Sequence, residues 1–176
     1  MKQPPLFNRF FIAVIFFIAL LFTNCSSPQK KEPAPADPVE ANIKMYTHVW
    51  DEIINKRNLD MFNDSNFTKD VVMHANPDVV GIDSARAYYA NYLTGFSNIE
   101  FTIKDVFGQG DKLVKHWNFK GIHTGPFFGM APTGKTVNID GVTLVRMFDG
   151  KIAEERDFVD NLDLMTQLGL VPAQRK

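Results

Sequence analysis

The sequence predicts an α+β fold, because two periodicities occur along it in a fixed order. Up to about Leu93 apolar residues recur every three or four positions; after Gly95 the chain reads as long alternating strands separated by Gly- and Asp-containing turns. Helices first and a meander second argue for helices packed on one face of a strongly curved antiparallel sheet. At 176 residues, 45% hydrophobic and 22% charged, the chain can bury one core, so one domain is expected.

The first stretch departs from that average. Lys2 and Arg9 are the only charges before a continuous apolar run from Phe10 to Phe22, the layout of an export signal spanning residues 1–24. The run is shorter than the roughly 20 apolar residues that a membrane span needs. It ends in Leu21-Phe22-Thr23-Asn24-Cys25-Ser26-Ser27, which resembles a bacterial lipobox, with Cys25 as the lipidated residue. Cys25 is the sole cysteine and has no disulfide partner within the chain, which favours this reading over an uncleaved anchor. Residues 25–38 then form a tether, with Pro28, Pro33, Pro35 and Pro38 spaced so that no helix persists. The expected setting is the bacterial cell envelope: exported, lipid-anchored to the membrane, in the periplasm or at the outer membrane. Losing residues 1–24 leaves 17 basic and 20 acidic side chains, a net charge of about −3. The basic residues form no stripe and no aromatic interleaving, so nucleic acid is not expected as a partner.

The folded domain is expected over residues 39–176. Val39, Ile43, Tyr46, Trp50 and Ile53 mark a long amphipathic helix that Asn55-Lys56-Arg57-Asn58 ends. A short second helix is expected from about Leu59 to Asn66 around Phe62. Val71-Val72-Met73-His74 reads as a brief strand stopped at Asn76-Pro77. Asp83 is the expected N-cap of a third helix to about Leu93, with Ala87, Tyr88, Tyr92 and Leu93 as its apolar residues. Four strands follow: Ile99 to Phe107, Leu113 to His123, Thr136 to Phe148, and Lys151 to Asp160. A Gly/Pro loop divides the second from the third. Gly108-Gln109-Gly110 lies between strands with no helix after it, so it reads as a hairpin turn and not a phosphate loop.

Alternation splits each strand into two faces. On the second, Leu113, Lys115, Trp117, Phe119 and His123 share the bulkier apolar face, placed toward the helices, with Lys115 as the residue that fits it least. On the last, Ile152, Glu154, Arg156, Phe158 and Asp160 take one face and Ala153, Glu155, Asp157 and Val159 the other. Carboxylates on both faces near the strand end suggest that one side lines a cavity; a solvated end is the simpler alternative.

These residues resemble the SnoaL-like polyketide cyclases, also labelled ester cyclases, of the nuclear transport factor 2-like superfamily. The resemblance runs from about Tyr46 to Leu170. It is carried by Gly110-Asp111-Lys112-Leu113-Val114, by Trp117, and by Gly121-Ile122-His123-Thr124-Gly125-Pro126-Phe127-Phe128-Gly129-Met130-Ala131-Pro132-Thr133-Gly134-Lys135. Further on it is carried by Arg146-Met147-Phe148-Asp149-Gly150-Lys151-Ile152-Ala153-Glu154, then Asp160 and Gln167-Leu168-Gly169. It implies a cone in which three N-terminal helices pack in a curved antiparallel sheet, with a short C-terminal helix. It also implies an apolar pocket and ring-closing aldol chemistry with no cofactor or metal. Asp160 matches the family's acid/base aspartate and His74 a pocket histidine, while Arg156 stands where the family commonly has Trp.

Each implied role has a plainer alternative. Asp160 can instead cap a helix opened by Asn161, Leu162 and Asp163, and His74 can instead hold its loop by a hydrogen bond. His123 serves either the pocket or the Gly125–Gly134 loop. Tyr46, Trp50, Tyr92, Trp117, Phe119, Arg156 and Phe158 are the other expected ligand contacts, the aromatic ones doubling as core. His48 and His116 are expected to face solvent or pack, and the four histidines have no metal-like spacing. No Gly-x-Ser-x-Gly elbow supports a hydrolase. The expectation is a cyclase or isomerase acting on a small hydrophobic carbonyl compound; the alternative is a non-catalytic envelope module binding an apolar ligand or a partner protein in the same pocket. A homodimer through the outer sheet face is expected from the resemblance.

Overall fold

The computed structural model describes residues 38–172. The expected signal, Cys25 and nearly all of the tether lie outside the described residues. Pro38, expected to close the tether, instead opens helix α1 (Pro38–Ile54), where its fixed φ suits the first turn and Glu40 adds a favourable charge. Tyr46, Val49, Trp50, Ile53 and Ile54 form its buried stripe. The expected second helix is only a 3-10 turn, Leu59–Met61, capped by Asn58, whose side chain accepts from the Asp60 amide. The chain then enters β1 (Phe67–Met73), which is longer than expected, and the two-residue β2 (Val79–Val80). Helix α2 (Ile82–Gly95) starts at Gly81, φ +88°, with no side-chain cap, so Asp83 lies in the first turn and is not the N-cap. Its buried line is Ala85, Tyr89, Leu93 and Gly95, while Ala87 is exposed.

The strands β3 (Phe96–Gln109), β4 (Lys112–His123), β5 (Thr136–Phe148) and β6 (Lys151–Val159) follow the expected meander, and α3 (Asn161–Gln167) closes the domain. They form one six-stranded sheet in the order β2-β1-β6-β5-β4-β3. The sheet is mixed where an antiparallel one was expected: β1 pairs with β6 in parallel, since the chain crosses the whole meander before returning beside β1. The architecture is α+β with helices against one sheet face, consistent with a nuclear transport factor 2-like cone.

One irregularity decides which side chains of β6 look inward. Arg146 faces Glu154 but Met147 faces Ile152, so Ala153 is an extra residue, a β-bulge. The bulge reverses parity. Ile152 lies on the same side as Glu155, Asp157 and Val159, not with Glu154, Arg156 and Phe158 as strict alternation has it. Along β4 alternation holds, and Leu113, Lys115, Trp117, Phe119 and His123 are all buried.

Candidate active site

Two adjoining hollows lie between the helices and the inward sheet face. The larger, about 320 Å³, is bordered by Met73 and His74 at the end of β1, by Tyr88, Tyr89 and Tyr92 of α2, and by Trp117, Ile139, Glu155, Asp157 and Val159 of the sheet, with Asn161 and Leu164 of α3 at its mouth. The smaller, about 50 Å³, is bordered by Trp50, Ile54, Phe101, Lys115 and Phe119. Tyr89, Tyr92, Trp117, Ile139 and Asp157 border both. The smaller hollow is walled mainly by aromatic rings, while the larger joins Tyr88, Tyr89, Tyr92 and Trp117 to polar groups of His74, Glu155, Asp157 and Asn161; apolar surface with convergent polar groups is the usual make-up of a small-molecule site.

Asp157 borders both hollows but is itself exposed to solvent, and it is held from two sides. Thr143, its register partner on β5, donates its hydroxyl to Oδ1, and Tyr89 donates to Oδ2 at 3.3 Å. Thr143 in turn accepts from Trp117 Nε1 at 2.9 Å. That indole lies flat over β5 because residue 141, opposite it, is Gly: a Cβ there would fall 2.2 Å from Trp117 Cζ2. Sheet register, one glycine and one helical tyrosine together fix the carboxylate.

Deeper in, Glu155 is 2% exposed and Lys115 3%. Glu155 Oε1 accepts from the Tyr46 hydroxyl and from Trp50 Nε1, the latter at 3.0 Å, while Oε2 is buried without a partner. Lys115 Nζ sits over three ring faces, 4.4 Å from the Trp50 centroid, 5.1 Å from Tyr46 and 5.5 Å from Phe101, an arrangement that favours a cation. Burial pushes the Glu155 carboxyl up to about 7 against the opposing pull of Lys115. Burial also pushes the Lys115 ammonium below its usual value, with Glu155 and Asp157 resisting. The phenols of Tyr46, Tyr89 and Tyr92 are raised well above theirs, again mainly by burial, and so stay protonated near neutrality.

The family model for SnoaL-like polyketide cyclases matches residues 43–168. The chain belongs to the SnoaL-like polyketide cyclase family. Comparison with curated proteins gives no match. Among solved structures, a SnoaL-like protein from Jannaschia sp. CCS1 is 28% identical, with 80% of this chain and 100% of that one covered at a TM-score of 0.70. TsrD from Streptomyces laurentii (22% identity, 74% and 97% covered, TM-score 0.68) and IdmH from Streptomyces antibioticus (21%, 73% and 98%, 0.61) share the fold.

Within this SnoaL-like domain the expected site residues separate into three groups. Trp50, Tyr92, Trp117 and Phe119 border the hollows, and so does His74, at the edge, where Nδ1 lies 3.3 Å from Asp78 and Nε2 3.5 Å from Glu154. Tyr46 is fully buried beneath them and reaches the site through Glu155. The rest lie elsewhere. Asp160 is the N-cap of α3, accepting from the Asp163 amide at 2.9 Å, exposed and outside the residues that border either hollow. Arg156 and Phe158 face outward opposite Leu144 and Val142, Phe158 being 53% exposed, because the bulge at Ala153 turns that set away from the helices. His123 is buried against Phe96 and Phe127. Its Nδ1 accepts from the Thr133 amide at 3.3 Å and lies 3.2 Å from the Thr133 hydroxyl, so it anchors the loop. That loop crosses α2 closely enough that a Cβ on Gly125 would lie 2.2 Å from the Thr94 carbonyl oxygen.

Asp157, Glu155, Lys115 and Tyr89 were not among the expected site residues. Lys115 had announced itself as the one charge on an apolar strand face. Asp157 and Glu155 could have been found from the two-carboxylate pattern of β6 had the extra residue been recognised.

Proposed function

We propose that this protein is a cyclase or isomerase that works by acid/base chemistry, without a cofactor, on a small hydrophobic carbonyl compound, and that Asp157 is its general acid/base. The observation that supports this reading is the Asp157 carboxylate, which borders both hollows from a solvent-accessible position and is oriented by Thr143 and Tyr89. A carboxylate so placed can take a proton from the carbon next to a carbonyl, which leaves negative charge on the carbonyl oxygen. The Tyr92 phenol, protonated and bordering both hollows, is a donor for that oxygen. The enolate then attacks a second carbonyl of the same molecule or is reprotonated elsewhere, closing a ring or moving a double bond. His74, at the edge of the larger hollow, assists by passing the proton toward solvent. The export signal and the lipid on Cys25 would place this chemistry at the cell envelope.

The test is exchange of the α-protons of an aryl methyl ketone for deuterium, followed by NMR, with binding read from quenching of Trp50 and Trp117 fluorescence. Asp157→Asn is expected to slow exchange by about a hundredfold or more with affinity nearly unchanged. Asp160→Asn is expected to leave exchange intact and to cost about 1 kcal/mol or less of stability through the α3 cap. Exchange that survives Asp157→Asn, or that depends on Asp160 instead, sinks this assignment. Quenching without any exchange points to the binding-module alternative.

A further inference from the structure

The acid/base reading leaves one nucleophile of the cavity unused. Lys115 projects from the middle of β4 into the smaller hollow, which meets the larger one along Tyr89, Tyr92, Trp117, Ile139 and Asp157. Its neighbours are ring faces, and among the described residues no carboxylate lies within ion-pair distance of Nζ. A lysine kept only to neutralise a buried acid would be expected to touch it. Glu155 instead spends Oε1 on Tyr46 and Trp50, the same two rings that Lys115 covers, and leaves Oε2 without a donor. An amine and a spare carboxyl oxygen thus flank one pair of aromatic rings at the end of a hollow that opens toward a larger chamber.

We infer that Lys115 is an imine-forming residue: its amine condenses with a small aldehyde or ketone with an apolar body, and Glu155 moves the protons of that condensation. The inference deepens the proposed function and rests on its substrate class, but not on Asp157. Nζ, as the free amine, attacks the carbonyl carbon; the C–N bond forms, and the carbonyl π electrons move to oxygen, which takes the proton of the Glu155 carboxyl and leaves it a carboxylate. Nitrogen gives up one proton to the Glu155 carboxylate. The carbinolamine hydroxyl then leaves as water with a proton returned by Glu155, and an iminium cation is left. No oxidant or reductant takes part, and water reverses the sequence. The iminium draws electrons from the adjacent carbon more strongly than the parent carbonyl, and so assists the α-proton transfer assigned to Asp157.

Physical chemistry supports both partners. Desolvation favours the neutral form of an amine, and lysines in apolar pockets are activated in this way. Glu155 and Asp157 of β6 oppose that shift, as do the ring faces of Trp50, Tyr46 and Phe101, which favour the cation; the phenols of Tyr46, Tyr89 and Tyr92 are the other titratable groups around this hollow. A carboxyl that exchanges its proton near 7 suits both halves of the proton transfer.

The experiment is reductive trapping on the full chain: benzaldehyde and cyanoborohydride at pH 7, digestion, and mass spectrometry of every lysine-containing peptide. The expected result is a benzyl adduct on Lys115 formed faster than on any exposed lysine, since lowering the ammonium's value raises its free-amine fraction at pH 7. The fast phase is expected to vanish in Lys115→Arg and to slow in Glu155→Gln. An unlabelled Lys115 in wild-type protein whose exposed lysines are labelled overturns the inference, and that result needs no variant to fold. Deuterium exchange that still depends on Asp157 while Lys115 stays unlabelled removes the imine and keeps the acid/base reading; trapping at Lys115 without Asp157-dependent exchange does the reverse.

Discussion

Glu154 and Glu155 are neighbours on one strand and live in opposite worlds. Glu154 faces outward and accepts from Arg146 Nε at 3.0 Å; the pair is solvated, and the guanidinium holds the Glu154 carboxyl below its usual value. Glu155 faces inward, is 2% exposed, has no cation within ion-pair distance among the described residues, and is pushed the other way. The same residue type is an acid fully ionised at neutrality on one face and a proton-exchanging group on the other. Burial decides this, and a single extra residue, Ala153, decides which of the two is buried.

The largest expected effect probes the inner member. Folding raises the Glu155 value from an ordinary 4.5 to about 7, so the folded chain holds this proton more tightly than the unfolded one. Its contribution to stability is therefore fully present below pH 4.5 and is lost as pH rises through 7, a loss of about 3 kcal/mol. Urea unfolding of wild type at a series of pH values is expected to show this fall, and Glu155→Gln to flatten it. A wild-type profile that is already flat between these limits would mean that Glu155 is ionised and matched by Lys115 in the folded state.

A smaller effect is expected one strand away. Gly141→Ala places a methyl group against the Trp117 indole, which is rigid and tied to Thr143, so the cost is about 1–3 kcal/mol of stability. The displaced indole loosens Thr143 and hence Asp157, so any α-proton exchange is expected to fall more than the melting temperature suggests. Stability and exchange unaltered by Gly141→Ala would show that the inward face tolerates movement around Asp157.

Much of this was legible in the sequence, and the remainder has identifiable causes. The limits of β5 follow from its turn residues, and the inward set of β4 follows from alternation, with Lys115 as the misfit that marks the site. The two-helix start of α1 and α2 was legible from apolar spacing, yet Tyr88, Tyr89 and Tyr92 lie on adjoining faces of α2, and periodicity alone does not choose which is buried. The bulge at Ala153 was not legible because its residues carry no Gly or other punctuation. Counting by twos across it grouped Ile152 with Glu154, Arg156 and Phe158 and left open which face looks inward, so Asp157 was not singled out as a site residue. The parallel pairing of β1 with β6 joins residues far apart in sequence and leaves no local trace. Asp160 carried its alternative openly: an acid three residues before a helical Asp163 is what an N-cap looks like.

The smallest effect is expected on the outer face, and it is what makes the comparison a test. Arg146 and Glu154 both keep more than a third of their side chains in water, at 40% and 37% exposure, so their attraction is screened and partly offset by the entropy of holding two long chains together. Glu154→Gln is expected to shift unfolding by about 1 kcal/mol or less. Its pH profile toward 7 should keep the slope assigned to Glu155, because Arg146 holds the Glu154 carboxyl below its usual value and so moves its titration away from that end of the range. The two Gln variants differ by one position and by the same single atom exchange. If Glu154→Gln flattens the profile and Glu155→Gln does not, the inward and outward sets of β6 have been assigned the wrong way round, and Asp157 leaves the cavity with them.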